Sequence, residues 1–423
     1  MKPLTSVRVP LYLVLLASTL TACAWKARPT PTEDGPVARL WRKSAQTRDF
    51  ERFTRQGTAL APDGALELDA AAAPTTADPF ASHTPPDAQT PVAAGSYVLG
   101  SARSEELALA GGFDNVVPSF DVLTPPGTWV RLTLAARVEG QWTKDYDFGV
   151  WAFDKGTVAR HSKDRQEDES GKVFTDTLVL KKKADALRMK VWLFSSKPGV
   201  SPRVRALMAA MTDSGRKAAD EPSDKRAWGT VLEVPGRSQM LYPPDGGVWC
   251  SPTSVSMILA YWGKKLGRNE LVVPVPVAAE HTYDTVYEGT GNWPFNTAYG
   301  SAIGDGALTG LVARFDSFTQ VERLIAEGIP VSISIAYEKG ELSGSPVQRS
   351  NGHLIVVKGF TPEGDVICND PAFRGNEAVE VTYKREELWR AWRHSRGAAY
   401  VLWPSGTELP AALQGTLVSN PTP

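Results

Sequence analysis

The stretch Trp249-Cys250-Ser251-Pro252-Thr253-Ser254-Val255-Ser256-Met257-Ile258-Leu259-Ala260-Tyr261-Trp262-Gly263 constrains this chain more than any other. Val255, Ile258, Leu259 and Trp262 recur at three- and four-residue spacing, which predicts a helix with one apolar, buried face. Pro252 suits the first helical turn, where no amide donor is missed, and Gly263 is expected to end the helix. Cys250 then stands at the helix N-terminus, where unpaired amides and the macrodipole favour an anion and hence the thiolate. A thiol so placed is a candidate nucleophile if a base can reach it. The competing reading is a small buried hydrophobe, the commonest fate of a free cysteine.

At 423 residues the chain has room for two domains and their linkers. A formal net charge of −1 supplies no basic surface for nucleic acid. Three cysteines are too few for a fold built on disulfides. Thirteen tryptophans, eleven tyrosines and fourteen phenylalanines supply aromatic cores instead. No metal and no cofactor are expected.

Residues 1–23 read as a signal peptide. Lys2 and Arg8 give a basic start, and Leu11 to Leu20 form an apolar run too short to span a bilayer as a mature helix. Leu20-Thr21-Ala22-Cys23 resembles the bacterial lipoprotein signal, with cleavage and lipidation at Cys23. The alternative is an ordinary secretory signal with an incidental cysteine. In either case the mature chain works outside the cytoplasm. Lipidation would hold it to a membrane in the cell envelope, facing the periplasm or the exterior.

Residues 24–94 read as a tether and linker with a hairpin around Pro62-Asp63-Gly64. Residues 95–211 read as an all-β sandwich domain. Val130, Leu132, Leu134, Ala136 and Val138 alternate with Arg131, Thr133 and Arg137, and turn signals such as Pro125-Pro126-Gly127 separate further strand-like runs. The charged run Arg160–Lys172, with His161 inside it, reads as a solvated loop. Residues 212–227 form a polar linker, 228–405 the second domain, and 406–423 a tail. In the second domain helices come first and mostly sequential strands follow, an α+β arrangement.

A cysteine nucleophile needs a base, a group that orients the base, and donors for an oxyanion. Thr361-Pro362-Glu363-Gly364 has the type I turn signature, and a four-residue turn there sets Ile355 opposite Asp370. His353 shares a face with Ile355 because side chains alternate, so Asp370 is a diagonal neighbour able to accept an imidazole proton. Cys368 falls on that face as core; a pairing with Cys250 is the lesser alternative. Gln239, eleven residues before Cys250, could complete an oxyanion hole with the Cys250 amide. Tyr283 to Tyr299, with Asn292, Trp293 and the glycines 289 and 291, is expected to wall a substrate cleft beside Trp249. The competing reading makes Trp293 and Phe295 plugs of the core.

Val234-Pro235 with Gln239, then Trp249 to Ser254 and Tyr261-Trp262-Gly263, then Gly352-His353-Leu354-Ile355-Val356-Val357 and Asn369-Asp370-Pro371, together resemble the papain-like cysteine peptidases related to the bacteriocin-leader-processing (double-glycine) peptidases. The resemblance spans about Trp228 to Trp403. It implies a papain-like domain in which Cys250 is the nucleophile, His353 the base, Asp370 its partner and Gln239 the oxyanion donor. The upstream half, with Trp142 and Gly149-Val150-Trp151, resembles the region that accompanies this domain in secreted bacterial members. Leader-processing members are attached to membrane transporters, and no transporter segment occurs here, so a leader substrate is not inherited. The expected activity is hydrolysis of peptide bonds in a peptide or protein. The alternatives are a cell-wall peptide amidase, and a lipoprotein that holds peptides in the same cleft without cleaving them.

Overall fold

The computed structural model describes residues 37–72, 74, 75, 80, 96–216, 218 and 221–418. The expected signal peptide and Cys23 lie outside them. The first half is mostly strand, with a 3-10 turn at Asp49–Arg52: β1 (Val37–Ser44), β2 (Thr54–Gln56), β3 (Thr58–Leu60), β4 (Leu66–Leu68), β5 (Pro74–Thr75), β6 (Tyr97–Arg103) and β7 (Leu107–Leu123). It continues through β8 (Thr128–Val138), β9 (Gln141–Trp142), β10 (Tyr146–Trp151), β11 (Gly171–Phe174), β12 (Thr177–Ser195) and β13 (Arg203–Asp213).

Among the described residues these thirteen strands form one hydrogen-bonded sheet, with β10-β8-β12-β7-β13-β4-β3 as its main path. The sequence pattern predicts two stacked sheets. Continuity arises because β7 and β12 are 17 and 19 residues long. Register shifts near Ala184 let β12 pair with both β7 and β8 while bending. Gly111 and Gly112, at φ +83° and +72°, let β7 turn where an L side chain would be strained.

Two boundaries move. β1 pairs with β13 at eight successive positions from Val37↔Asp213 to Ser44↔Ala206, so residues 37–44 are a strand of this sheet rather than a tether. At the far end, α6 (Ala411–Gln414) buries Ala412 and Leu413, and the amide of Leu40 donates to Thr416 O at 2.8 Å. The expected tail is therefore docked onto β1 as far as Val418, whose amide donates to Leu40 O at 2.8 Å. The hairpin β3–β4 turns at Pro62-Asp63-Gly64, with Thr58 opposite Leu68 and Leu60 opposite Leu66.

The second half is α+β. It contains α1 (Cys250–Leu266), α2 (Val275–Thr282), α3 (Trp293–Gly306), β14 (Leu308–Arg314), α4 (Phe318–Ala326) and β15 (Val331–Tyr337). Then come β16 (Ser350–Phe360), β17 (Val366–Asn369), β18 (Glu380–Tyr383), α5 (Arg385–Arg393), β19 (Ala398–Pro404) and the short α6. The strands form an antiparallel sheet in the order β14-β19-β15-β16-β17-β18.

Helix α1 lies against this sheet and is buried continuously from Ser251 to Gly263. Val255, Ile258 and Leu259 are at 0% exposure and Trp262 at 7%; each such side chain contributes about 1.5–3 kcal/mol on burial. Ser254 Oγ donates to Leu354 O at 3.1 Å and Trp262 Nε1 to Leu402 O at 3.0 Å, which ties the helix to β16 and β19. The helix ends at Gly267, φ +65°, not at Gly263. A Cβ on Gly263 would lie 2.9 Å from Val272 Cγ2 and 3.0 Å from Arg268 O, so that glycine permits a close approach of backbone instead of a stop.

Candidate active site

Cys250 is the first residue of α1, follows Trp249 and is half-buried. The hairpin β16–β17 supplies the next two groups. Val356 faces Asn369 and Val357 faces Cys368, the register that sets Ile355 against Asp370. The turn reaches that register by another route. Thr361 N donates to Asp365 O at 2.9 Å and Gly364 N to Thr361 O at 3.0 Å, with Gly364 at φ +92°, so the connection is one residue longer than a four-residue turn. A bulge at Lys358 restores the count, because Gly359 faces Ile367 and Phe360 faces Val366. Without that bulge a one-residue slip would carry Asp370 to the opposite face from His353.

His353 Nε2 and Asp370 Oδ1 are 2.7 Å apart, and the two side chains are 6% and 0% exposed. With Nε2 engaged, the other ring nitrogen is left for the thiol, and Cys250 and His353 lie close enough for each to shift the other's titration. Asp370 is held on both oxygens. Oδ1 also accepts from the Ala372 amide at 3.0 Å, and Oδ2 accepts from the Tyr383 hydroxyl at 2.7 Å.

Electrostatics follow from this geometry. Burial pushes the Cys250 thiol up, but the His353 hydrogen bond and charge and the Leu354 amide outweigh it and bring it below its usual value. Burial pushes His353 down, and Asp370 with Cys250 more than reverses this, raising it to about 10. Burial likewise raises the Asp370 carboxyl, while His353, the Ala372 amide and Tyr383 hold it below the ordinary carboxylate range. All three shifts favour a thiolate–imidazolium pair backed by a carboxylate.

Gln239 is buried in the turn Gln239–Leu241. Its amide N–H donates to Pro371 O at 2.9 Å, next to Asp370. Its side-chain Nε2 donates to Gly247 O at 2.8 Å, three residues before Cys250. One amide hydrogen remains to offer, and Oε1 is buried with no partner among the described groups. Cys368 is fully buried and unpaired, its thiol pushed well up by burial, and Cys250 is also a free thiol.

The expected cleft wall is arranged differently. Asn292 is 1% exposed and caps α3, Oδ1 accepting from Phe295 N at 3.2 Å while Nδ2 donates to Asp284 Oδ2 at 2.9 Å. Both ends of its amide are used inside the fold, which removes it as a substrate contact. Trp293 packs on the core, its amide donates to Asp176 Oδ2 at 2.6 Å, and Arg314 lies 5.7 Å over its ring. Its backbone is thus tied to the β-rich half, and Phe295 packs against that half, its ring 5.4 Å from that of Trp151. His281 stacks on Tyr299 at 5.3 Å and packs 5.2 Å from Phe153, so it too belongs to this contact.

The loop part that reaches the segment before Cys250 is Tyr287–Thr290. Thr290 Oγ1 donates to Val248 O at 3.4 Å, and the Tyr287 ring lies over Gly289 and Gly291, where added Cβ atoms would sit 2.9 and 3.3 Å from its Cε1. Trp249 is half-buried, with its ring 6.1 Å from that of Tyr242. In the turns that lead to Cys250, Met240, Leu241 and Val248 are 37%, 50% and 68% exposed.

The β-rich half holds this loop at several points. Arg160 Nη2 donates to Glu280 O at 2.6 Å, Thr285 N to Arg160 O at 3.0 Å, and Ser162 N to Asp284 Oδ1 at 3.0 Å. Arg160 and His161 are therefore 4% and 0% exposed, contrary to a solvated loop there; His161 is also bridged to Val150. Sequence reasoning passed over Tyr383 as well. Alternation along β18, read against β17, sets Tyr383 on the face shared by Val366, Cys368 and Asp370, and that was its signal.

Residues 40–212 match the family model described as the peptidase C39 N-terminal domain, and residues 231–400 match that of the peptidase C39-like family. Among solved structures, a protein from Bacillus anthracis described as a C39-like peptidase is 19% identical, with 42% of this chain and 98% of that chain covered and a TM-score of 0.29. TmCBM61 in complex with β-1,4-galactotriose is 8% identical over 39% of this chain and 92% of that one, with a TM-score of 0.21. No curated protein matches.

Proposed function

The chain belongs to the peptidase C39-like family, and from that premise we propose that it is a cysteine peptidase with a papain-like reactive centre at Cys250, His353 and Asp370. The observation that carries the reading is the 2.7 Å bond between His353 Nε2 and Asp370 Oδ1, both buried, with the thiol at the start of α1 in electrostatic reach of the imidazole.

His353 takes the Cys250 proton, and the thiolate attacks the carbonyl carbon of a peptide bond. The oxyanion that forms is met by the Cys250 amide at the helix N-terminus, where the first N–H groups are unused, and by the free N–H of Gln239. Keeping a glutamine buried with an unpaired oxygen costs about 1–3 kcal/mol, a cost that supports a role in chemistry over one in folding. The imidazolium returns its proton to the leaving amine, the C–N bond breaks, and a thioester remains on Cys250. Water then attacks the thioester, with His353 again as base, and releases the acid and the thiol. Asp370 keeps the proton on Nε2, so the nitrogen facing the sulfur is the one free to exchange it.

Residues 1–23 support export and lipid anchoring at Cys23 as part of the same reading; loss of labelled-lipid incorporation in Cys23→Ala tests that part. The peptidase reading is tested by incubating the chain with a complex peptide mixture and sequencing the fragments by mass spectrometry, with Cys250→Ala as control. New peptide termini in the wild-type digest alone are expected. No fragments from peptides or proteins, with release of cell-wall peptide fragments instead, would assign the centre to a wall amidase. Tight retention of uncleaved peptide by both forms would assign it to binding.

A further inference from the structure

Asp370 is completely buried, and its two oxygens are used unequally. Oδ1 serves His353 and the Ala372 amide; Oδ2 accepts from the Tyr383 hydroxyl at 2.7 Å. Tyr383 is itself 0% exposed at the end of β18, opposite Val366. We propose that Tyr383 is a positioning residue of the reactive centre, whose hydroxyl fixes the carboxylate plane of Asp370 so that Oδ1 stays on His353 Nε2. The inference rests on reading Cys250, His353 and Asp370 as that centre.

A carboxylate held on one oxygen only can turn about its Cβ–Cγ bond, a broad torsion with a low barrier. Tyr383 closes this freedom from the opposite oxygen, and it satisfies a lone pair that would otherwise be buried bare. Burial raises the Asp370 carboxyl; His353, the Ala372 amide and Tyr383 bring it below its usual value. The groups around it come from five elements: His353 on β16, Cys250 on α1, Cys368 on β17, Tyr383 on β18 and Tyr337 on β15. Lys358, paired with Glu380, acts on Cys368. Burial pushes Cys368, Tyr383 and Tyr337 upward, so these three stay neutral across the physiological range. Asp370, held below the usual carboxylate range, stays ionised there and His353, raised to about 10, stays protonated, so the carboxylate supports the imidazolium that supports the thiolate.

Tyr383→Phe removes one oxygen atom and leaves the ring in place. The readout is the rate of Cys250 alkylation by iodoacetamide against pH, followed by mass spectrometry on the full chain, which requires no peptide substrate. With one donor lost, Asp370 protonates at higher pH, the imidazolium loses its support there, and the acid limb of alkylation moves up by about one pH unit. Where a cleavable peptide is in hand, kcat falls about tenfold with KM within twofold.

In an Asp370→Asn background the same Tyr383→Phe change leaves the limb where it was, because no carboxylate remains to titrate. An unmoved limb in Tyr383→Phe with a lowered melting temperature would reduce Tyr383 to core packing. So would a shift of equal size in the Asp370→Asn background. If Tyr383→Phe does not fold, 3-fluorotyrosine introduced at position 383 keeps the shape and donates more strongly; the limb then moves down, and an unmoved limb overturns the proposal. Absence of peptide cleavage alongside a shifted limb would count against the peptidase reading and leave this one standing.

Discussion

Replacing Asp370 with asparagine separates orientation from charge, and the structure decides which way the new amide must sit. Oδ1 accepts from two N–H donors, His353 Nε2 at 2.7 Å and the Ala372 amide at 3.0 Å. An asparagine NH2 at that position would confront both donors, so the carbonyl oxygen stays there and the NH2 takes the Oδ2 position. Its neighbour in that place, the Tyr383 hydroxyl, can rotate from donor to acceptor. The proton therefore remains on His353 Nε2 and the nitrogen facing Cys250 remains available. What is lost is charge. A hydrogen bond to a charged group contributes about 1.5–3 kcal/mol and a neutral one about 0.5–1.5, a difference of about 1.2 kcal/mol between midpoints, approaching tenfold in rate. Asp370→Asn is thus expected to lower kcat/KM about tenfold with KM little changed, while Cys250→Ala and His353→Ala fall to background. Initial rates on a fluorogenic peptide, normalised by the alkylatable Cys250, measure this. A loss in Asp370→Asn as deep as in Cys250→Ala would show that the amide flips or that charge is indispensable; no loss would remove Asp370 from the centre.

Cys250 should be the thiol that iodoacetamide modifies within minutes at neutral pH, with Cys368 protected by full burial; peptide mapping that found Cys368 labelled first would contradict the assignment. For His353 the folded value is raised to about 10. Its ion-pair contribution is therefore complete below the ordinary histidine value of about 6.5 and is lost as pH rises through about 10. Peptide hydrolysis and melting temperature should both decline across that alkaline span, and a flat profile to pH 11 would refute the raised value. Trp293→Ala should lower stability by ~2–3 kcal/mol in denaturant titration and leave KM of the folded protein unchanged, since the half-buried ring packs on the core and under Arg314. Gly359→Ala, whose Cβ would meet Thr230 O at 2.3 Å and Val231 Cα at 2.8 Å, should cost ~1–3 kcal/mol or more in the same assay.

The parts of the site that were legible in sequence are those set by local rules. Helical spacing placed Cys250 at the start of α1, and strand alternation placed His353 and Asp370 on one face. The register came out right through two deviations that cancel, a longer turn at Thr361–Asp365 and a bulge at Lys358. Neither deviation has a sequence signal strong enough to read alone. What failed depended on contacts between distant segments. Gly263 looked like a helix stop because glycine usually is one, yet it serves close packing against Val272. His161 sits in a charged run that looked solvated, yet it is bridged to Val150 on β10, and its neighbours Arg160 and Ser162 bond Thr285 and Asp284 of the other half. Val37–Ser44 carried no pattern strong enough to mark a strand, because its pairing partner β13 lies more than 160 residues further on. Asn292 had the composition of a binding loop and proved to be a helix cap.

The two halves share one apolar core, in which Trp151, Phe120 and Val116 belong to the same cluster as Phe295, Tyr299 and Leu311. Polar contacts follow the same seam. Arg205 on β13 is paired with buried Asp121 and also donates to the carbonyls of Gly306, Ser301 and Leu308, at 2.7, 3.1 and 2.8 Å. Arg314 on β14 reaches Asn115 on β7 at 2.8 Å. Parting Asp121 from Arg205, or Arg314 from its Nη acceptors, would leave a buried charge without its partners, which is costly, so the seam has little freedom to slide. The loop that leans on Val248 through Thr290 is fastened to the β-rich half at Glu280, Asp284, Thr285 and Trp293. Two residues after Val248 comes Cys250. The β-rich half therefore supports the lead-in to α1 from outside the α+β half, and the geometry around Cys250 is a property of both.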